Sequence, residues 1–175
     1  RALRQLKRSG AEGVECSPAT HDILAGWGRA HFRPPESLES IRADIGECQR
    51  CKLSSSRTRI VFGQGSPRAR IMFIGEGPGQ EEDRAGEPFV GAAGQLLTRI
   101  IQAIRLDREA VYITNVVKCR PPGNRVPEPG EIATCLPFLE RQIAAVRPSL
   151  MCLLGACAAQ SVLRTSEPIS RLRGR

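Results

Sequence analysis

Four cysteines in this chain have the type and spacing of ligands for a metal centre. Cys48 and Cys51 form a C-x-x-C pair, and Cys119 and Cys135 follow far downstream on either side of a proline-rich stretch. Four thiolates gathered from two distant parts of a chain suit one tetrahedral metal ion or one cubane iron–sulfur cluster. The second pair of a structural zinc ribbon is usually another C-x-x-C, so the wide second gap favours a cluster.

A glycine-rich segment lies between the two cysteine pairs. It directly follows the apolar run Ile71–Ile74 and reads GEGPGQEED from Gly75, then GEPFVG over residues 86–91, then Gly94. An apolar run that leads into glycines predicts a strand ending in a loop whose backbone can approach a ligand closely. Such a loop could also cradle a nucleotide phosphate, but the Lys-Ser/Thr ending of a P-loop does not follow it.

The periodicity of apolar residues predicts strands that alternate with amphipathic helices. The predicted helices are Ser37–Gly46, capped by Ser37, then Ala92–Arg105, Pro129–Val146 and Gly155–Leu163, and the predicted strands are Ile71–Ile74, Val111–Val117 and Ser149–Leu154. This alternation is typical of a parallel sheet covered on both faces, with ligands bound at the carboxyl ends of the strands. Residues 1–36 are polar and punctuated by prolines, which predicts a tail or linker before a single domain over residues 37–175.

Two of these helices carry a predicted inward face. In Ala92–Arg105 it consists of Leu96, Leu97, Ile100, Ile101 and Ile104. In Pro129–Val146 it consists of Ile132, Leu136, Leu139 and Ile143, with Pro129 in the first turn.

Three stretches together resemble the family 4 uracil-DNA glycosylases, the iron–sulfur branch found mainly in bacteria and archaea. They are the loop Gly75–Gly94, the sequence TNVVKCRPP over residues 114–122 with Asn124 and Arg125, and the four cysteines. The resemblance covers most of the chain from Cys48 onward. It implies a three-layer α/β/α sandwich around a small parallel sheet, a 4Fe-4S cluster on the four cysteines, and removal of uracil from DNA by hydrolysis of the N-glycosidic bond in base-excision repair.

The resemblance also implies which residues bind the base. Uracil must leave the duplex before an enzyme reaches its glycosidic bond, so the pocket must hold a flipped base by its faces and its edge. Phe89 is the expected stacking platform, with a plain core position as the alternative. Asn115 is expected to accept from uracil N3–H and to donate to O4, the reverse of the pattern that cytosine presents.

Carboxylates of the glycine-rich loop are the catalytic candidates. Glu76 is the first candidate for orienting water or stabilising the sugar cation, and Asp83 is the second, although either could instead cap a backbone turn. The backbone at Gly75, Gly77 and Gly79 is expected to approach the base closely.

The segment between Cys119 and Cys135 is the expected DNA contact. Arg120, Asn124 and Arg125 are polar or basic and are predicted to reach DNA phosphates. The net charge of +8 and the pI of about 9.6 agree with a polyanionic partner. Seven cysteines predict a reducing cytoplasm, bacterial or archaeal, and no apolar run is long enough to cross a bilayer. The protein is expected to be a monomer.

One motif of the family is missing from this sequence. Family members carry a His-Pro-Ser/Ala loop past the equivalent of Arg175, and its histidine contacts the uracil oxygen that gains charge. We therefore expect the last strand of the sheet and this loop to lie beyond Arg175. Two alternatives stay open: a non-catalytic iron–sulfur DNA-binding module or fragment, and a nucleotide-binding domain that carries zinc on the same cysteines.

Overall fold

Four short strands form one sheet in the computed structural model, which describes residues 36–172. They are β1 (Gln64–Gly65), β2 (Ile71–Gly75), β3 (Tyr112–Asn115) and β4 (Leu150–Leu153), arranged in the order β1-β3-β2-β4. Strand β2 pairs in parallel with both β3 and β4, which confirms the three predicted strands and their direction. Strand β1 runs antiparallel to β3 and was not predicted, because two residues carry no readable alternation.

Six helices connect and cover these strands in the described part of the chain. They are α1 (Leu38–Ile45), α2 (Gln80–Ala85), α3 (Ala92–Ala103), α4 (Pro129–Val146), α5 (Ala156–Leu163) and α6 (Ile169–Leu172). The predictions of α1, α3, α4 and α5 are confirmed. The Ser37 hydroxyl caps α1 as expected, accepting from the Ser40 N–H at 3.1 Å. The tail predicted over residues 1–36 lies outside the described residues except for Glu36.

Alternate residues of the central strands face two separate apolar layers. Met72 and Ile74 pack with Leu139 of α4 and Ala158 of α5. Phe73, which lies between them in β2, packs instead with residues of α3 on the opposite face. Because successive side chains of a strand point to opposite faces, the sheet is covered on both sides. This is the predicted three-layer α/β/α arrangement.

The predicted inward face of α3 is wrong in extent. Leu97 and Ile101 are buried against the sheet, whereas Leu96, Ile100 and Ile104 are 51%, 48% and 51% exposed. Leu96 and Ile100 each precede a buried residue by one position, and one position corresponds to about 100° around a helix of 3.6 residues per turn. Apolar side chains therefore extend around α3 beyond the face that the other described residues bury. In α4 the prediction holds, because Leu139 is fully buried and Ile132, Leu136 and Ile143 pack around the same layer.

The Gly75–Gly94 loop and the segment that follows Asn115 leave the same edge of the sheet. Gly75 ends β2 and Asn115 ends β3, and the two residues are direct partners in the parallel register. Pairing continues for two residues beyond the strands, since Val116 donates to the Gly75 carbonyl at 2.8 Å and Val117 to the Glu76 carbonyl at 3.1 Å. Between residues 36 and 172, no helix has both the length and the apolar character needed to cross a membrane.

Candidate functional site

Where β2 and β3 end, the side chains of Asn115 and Phe89 lie against Gly75. A Cβ atom built on Gly75 would lie 2.5 Å from Asn115 Oδ1 and 2.5 Å from Phe89 Cζ, distances that real Cβ atoms do not show. A glycine at this position is therefore what allows the amide and the ring to stand beside the strand end. We call Gly75, Phe89 and Asn115 the strand-end pocket.

Asn115 presents an unused acceptor to this pocket. The residue is 1% exposed, and Oδ1 has no hydrogen-bond partner among the described residues. A buried polar atom without a partner costs about 1–3 kcal/mol, so such atoms are uncommon unless a ligand satisfies them. Asn115 is the last residue of β3, two residues before the end of the predicted strand Val111–Val117.

Phe89 is held in an unusual backbone conformation. Its φ is +54°, in the left-handed region that a bulky residue rarely adopts. Gly94 packs flush against it, because a Cβ there would lie 1.9 Å from the Phe89 carbonyl oxygen. The half-buried ring touches the apolar layer between the sheet and α3. Strained positions of this kind concentrate at functional sites.

The two carboxylates after the glycine-rich loop have different partners. Asp83 is 2% exposed, and its two oxygens accept from the Thr58 N–H at 2.9 and 3.0 Å. The Arg59 N–H adds a bond of 3.4 Å. Glu82, which the sequence analysis missed, accepts from backbone N–H groups of two parts of the glycine-rich segment, Gly79 and Val90–Gly91. Its position three residues after the helix N-cap Gly79 is the signal that was available.

Glu76 borders the strand-end pocket from the next position of the chain. It is half-buried, and its carboxylate lies beside the thiol of Cys157 in α5. Burial raises the pKa of the Cys157 thiol, and the nearby negative charge of Glu76 raises it further. The other two loop glycines lie against neighbouring side chains, Gly77 against Val117 and Gly79 against Glu82.

Lys118 is a buried cation that sequence reasoning also missed. It is fully buried, and Nζ donates to Thr114 Oγ1, the Asn115 carbonyl and Gln142 Oε1 at 2.6–2.7 Å. Burial lowers its pKa to about 7. Three acceptors match the three donors of an ammonium group. Through its bond to the Asn115 carbonyl, Lys118 fixes the backbone of Asn115.

The four predicted ligand cysteines lie in one region, which we call the cysteine region. The pKa of the Cys119 thiol is raised to about 11, chiefly by burial and to a smaller extent by neighbouring Cys135 and Cys51, against the lowering effect of Arg57. Burial likewise raises the pKa of Cys135, with added effects from Cys51 and Cys48. Cys119 and Cys135 thus lie close enough to each other or to Cys48 and Cys51 to be affected by the charge of a neighbouring thiolate.

Hydrogen-bond donors point at these sulfur atoms. The Lys118 backbone N–H donates to Cys135 Sγ at 3.3 Å. Arg57 donates to Cys119 Sγ at 3.4 Å and to the Cys48 carbonyl at 2.7 Å, which joins the two halves of the region. Within residues 36–172, no three Cys, His, Asp or Glu side chains are grouped as ligands of a single metal ion. Of the remaining cysteines, Cys152 and Cys157 are half-buried, and Cys16 lies outside the described residues.

The loop between Cys119 and Cys135 is ordered by its own ion pairs. Arg125 donates to both carboxylate oxygens of Glu131, at 2.8 and 2.7 Å. That contact holds the pKa of Glu131 at about 2. Arg120 donates to Asn124 Oδ1 at 2.7 Å, and Asn124 is exposed. Arg120 and Asn124 are therefore more available than Arg125 to contact a ligand.

Comparison with known proteins identifies the family. The model of the Uracil DNA glycosylase superfamily matches residues 62–175. The chain belongs to this superfamily. It is 48% identical to the type-4 uracil-DNA glycosylase of Archaeoglobus fulgidus, over 80% of this chain and 72% of the relative. It is 49% identical to the type-4 enzyme of Thermotoga maritima, over 79% of this chain and 73% of the relative.

A third relative extends the same pattern. The type-4 uracil-DNA glycosylase of Saccharolobus solfataricus is 47% identical, over 80% of this chain and 67% of its own length. The resemblance to family 4 glycosylases is thereby confirmed, and the chain spans roughly two thirds to three quarters of these archaeal and bacterial relatives.

In this glycosylase-superfamily chain, the predicted residues fall into two groups in space. Gly75, Phe89 and Asn115 lie together at the strand end, and Glu76 follows Gly75 in the chain with its carboxylate beside Cys157. The four cysteines and the Arg120–Arg125 loop form a second group, which is joined to the first by the run from Asn115 to Cys119. Asp83 lies apart from both groups on the Thr58–Arg59 turn, a geometry that favours the backbone-capping alternative.

Proposed function

We propose that this chain removes uracil from DNA by hydrolysing the N-glycosidic bond, leaving an abasic site for base-excision repair. One observation carries the proposal beyond family membership. The buried Asn115 Oδ1 has no partner among the described residues, and it stands beside the Phe89 ring at the side-chain-free end of β2. An amide edge next to an aromatic face is what a flipped pyrimidine needs.

Base choice rests on Asn115 in this proposal. Uracil carries a hydrogen on N3, which supplies the donor that Oδ1 lacks, and the amide NH2 donates to O4. Cytosine has no hydrogen on N3 and carries an amino group at position 4, so both contacts become mismatched. A site that leaves buried polar groups unpaired against the wrong base discriminates strongly.

Phe89 and the loop glycines hold the base in place. The ring stacks on one face of uracil, an interaction worth about 1–3 kcal/mol per base. The backbone at Gly75, Gly77 and Gly79 approaches the base edge. Arg120 and Asn124 contact phosphates near the flipped nucleotide, whereas Arg125 orders their loop through Glu131.

Glu76 is our candidate for the chemical step. Cleavage develops positive charge on the sugar and negative charge on the departing base, so a carboxylate beside the sugar can orient water or stabilise the cation. Glu76 directly follows Gly75 and is half-buried, and its carboxylate lies beside the Cys157 thiol. Asp83 remains the second candidate, and it is less suited because its oxygens already accept from Thr58 and Arg59.

We further propose that Cys48, Cys51, Cys119 and Cys135 hold a 4Fe-4S cluster. The donor set fits, because four thiols lie in one region and N–H groups point at the sulfurs of Cys119 and Cys135. Each thiolate of a cubane binds a different iron, so its ligands stand farther apart than those of one tetrahedral ion. The cluster would act as a cross-link, since glycosidic hydrolysis transfers no electrons. We place the protein in the cytoplasm as a monomer.

Release of free uracil tests the proposal. Protein expressed from the complete reading frame is incubated with an oligonucleotide that carries one uracil and with a matched one that carries cytosine. We expect free uracil and an alkali-labile abasic site from the first and no base release from the second. Tight binding of both oligonucleotides without release would favour a non-catalytic DNA-binding module.

A further inference from the structure

One carboxylate ties together the two loops that build the strand-end pocket. Glu82 Oε2 accepts from the Gly79 N–H at 3.1 Å, which belongs to the loop after β2. Its Oε1 accepts from the Val90 N–H at 2.9 Å and the Gly91 N–H at 2.8 Å, directly after Phe89. A single side chain therefore sets the distance between the two segments.

The conformation of Phe89 needs such a restraint. A phenylalanine with φ of +54° returns to a commoner backbone region unless neighbouring contacts hold it. Glu82 holds the backbone on the carboxyl side of Phe89. On the amino side, Arg108 donates to the Pro88 carbonyl and to Thr98 Oγ1, which anchors the segment to α3. Phe89 is thus fixed between two charge-assisted contacts.

Glu82 has no role in the chemistry proposed above. Its oxygens point at backbone N–H groups, and the water and sugar are assigned to Glu76. A carboxylate that accepts from three backbone N–H groups in two loops affects function through the side chains that those loops position. Here that side chain is the Phe89 ring, which occupies the space left by the missing Cβ of Gly75.

We infer that Glu82 is a positioning residue for uracil recognition, which holds the Phe89 ring at the stacking distance from the strand end. This inference rests on the proposed function. Loss of one Glu82 acceptor loosens the Val90–Gly91 turn, so Phe89 relaxes and the ring no longer faces the base. Glu82 thereby acts on base binding through Phe89 alone.

A double-mutant cycle tests this coupling. The variants are Glu82→Gln, Phe89→Ala and the double variant, with Glu140→Gln as control because Glu140 is an exposed carboxylate of α4 that pairs with Arg164. The measurements are the single-turnover rate of uracil release and the affinity for DNA with a non-hydrolysable uracil nucleotide. We expect Glu82→Gln to lower both by about tenfold in the parent and by less than about twofold in Phe89→Ala, with Glu140→Gln unchanged.

Other outcomes overturn the inference. A tenfold loss in both backgrounds would mean that Glu82 acts independently of Phe89, and no loss in the parent would mean that it does not position the ring. If Glu82→Gln fails to fold, Glu82→Asp replaces it, because the shorter carboxylate keeps the charge but cannot span both loops. A parent that releases no uracil would refute the proposed function instead of this coupling.

Discussion

The strand-end pocket and the cysteine region begin at the two ends of the same five-residue run, from Asn115 to Cys119, yet they are stabilised in different ways. The walls of the pocket are held by other groups of the protein: Glu82, Gly94 and Lys118 fix them through hydrogen bonds and close packing. In the cysteine region, burial raises the pKa values of the Cys119 and Cys135 thiols, so their protein neighbours alone do not stabilise these two as thiolates.

This difference indicates how the two regions depend on each other. Lys118 belongs to both, since its backbone N–H donates to Cys135 Sγ and its Nζ donates to the Asn115 carbonyl. A bound metal centre deprotonates its cysteines and contributes to folding. We therefore expect changes in the cysteine region to spread to the pocket through Lys118, and changes in the pocket to leave the cysteine region intact.

Replacement of a cluster ligand is expected to have the largest effect. Cys119→Ala removes one of the four thiols and should abolish the visible absorbance, lower the iron content to near zero and reduce the unfolding midpoint by about 10 °C or more. Iron analysis and thermal unfolding measure these changes. Cys16→Ala serves as the control and should match the parent. Equal iron in Cys119→Ala and the parent would remove Cys119 from the ligand set.

The second largest effect is expected from substitution of the Asn115 side-chain amide, and it should be confined to the pocket. In Asn115→Asp, the carboxylate cannot donate to uracil O4 and repels the negative charge of the departing base. We expect a loss of about 1–3 kcal/mol or more in transition-state stabilisation, measured as kcat/KM for uracil release. Iron content should be unchanged, unlike in Cys119→Ala. Gln102→Glu, the same amide-to-carboxylate change at an exposed position of α3, is the matched control, and equal losses in the two variants would contradict a base-reading role for Asn115.

Gly75→Ala tests whether the missing side chain of Gly75 is needed to make room for Asn115 and Phe89. The added methyl would meet Asn115 Oδ1 and Phe89 Cζ at 2.5 Å, so one of them must move. We expect kcat/KM to fall by about tenfold and the unfolding free energy by about 1–3 kcal/mol, as for an overpacked site. Gly130→Ala is the control, because nothing lies within 4 Å of a Cβ there. Uracil release at the parental rate by Gly75→Ala would show that the base does not bind at the strand end.

The sequence predicted the strands and long helices because their apolar residues recur at regular spacing. It did not predict β1 or α2, which are too short for a period, and it extended the inward face of α3 to three residues that are exposed. Gly75 and Asn115 lie side by side because parallel strands bring their carboxyl ends to one edge, and Phe89 packs against them. Their roles in binding a base stay predictions.

The supporting residues were not predicted, for a different reason. Lys118 and Glu82 are charged residues, which usually lie on the surface. Their functions depend on acceptors and donors from distant segments: Gln142 lies 24 residues from Lys118 in the chain, and Gly91 lies nine residues from Glu82. No local pattern encodes such partners, so only the folded geometry identifies them.

The smallest expected effect concerns the ion pair that orders the loop beside the cysteine region. Arg125 and the Glu128 N–H hold the pKa of Glu131 at about 2, below its usual value of 4.5. A carboxyl group whose pKa is lowered by folding stabilises the fold above its unfolded pKa and loses that contribution as the pH falls toward the folded pKa. Glu131→Gln should therefore be less stable than the parent at pH 7 by about 1–3 kcal/mol.

The pH dependence separates this pair from an ordinary surface contact. The difference in unfolding free energy between the parent and Glu131→Gln should stay constant from pH 8 down to about 5 and narrow between about 4.5 and 2, as measured by denaturant unfolding. Glu140→Gln is the control, because Glu140 pairs with Arg164 on the surface, where such pairs contribute about 0–1 kcal/mol. A difference that does not narrow in acid would mean that Glu131 stabilises the loop through packing and not through its charge.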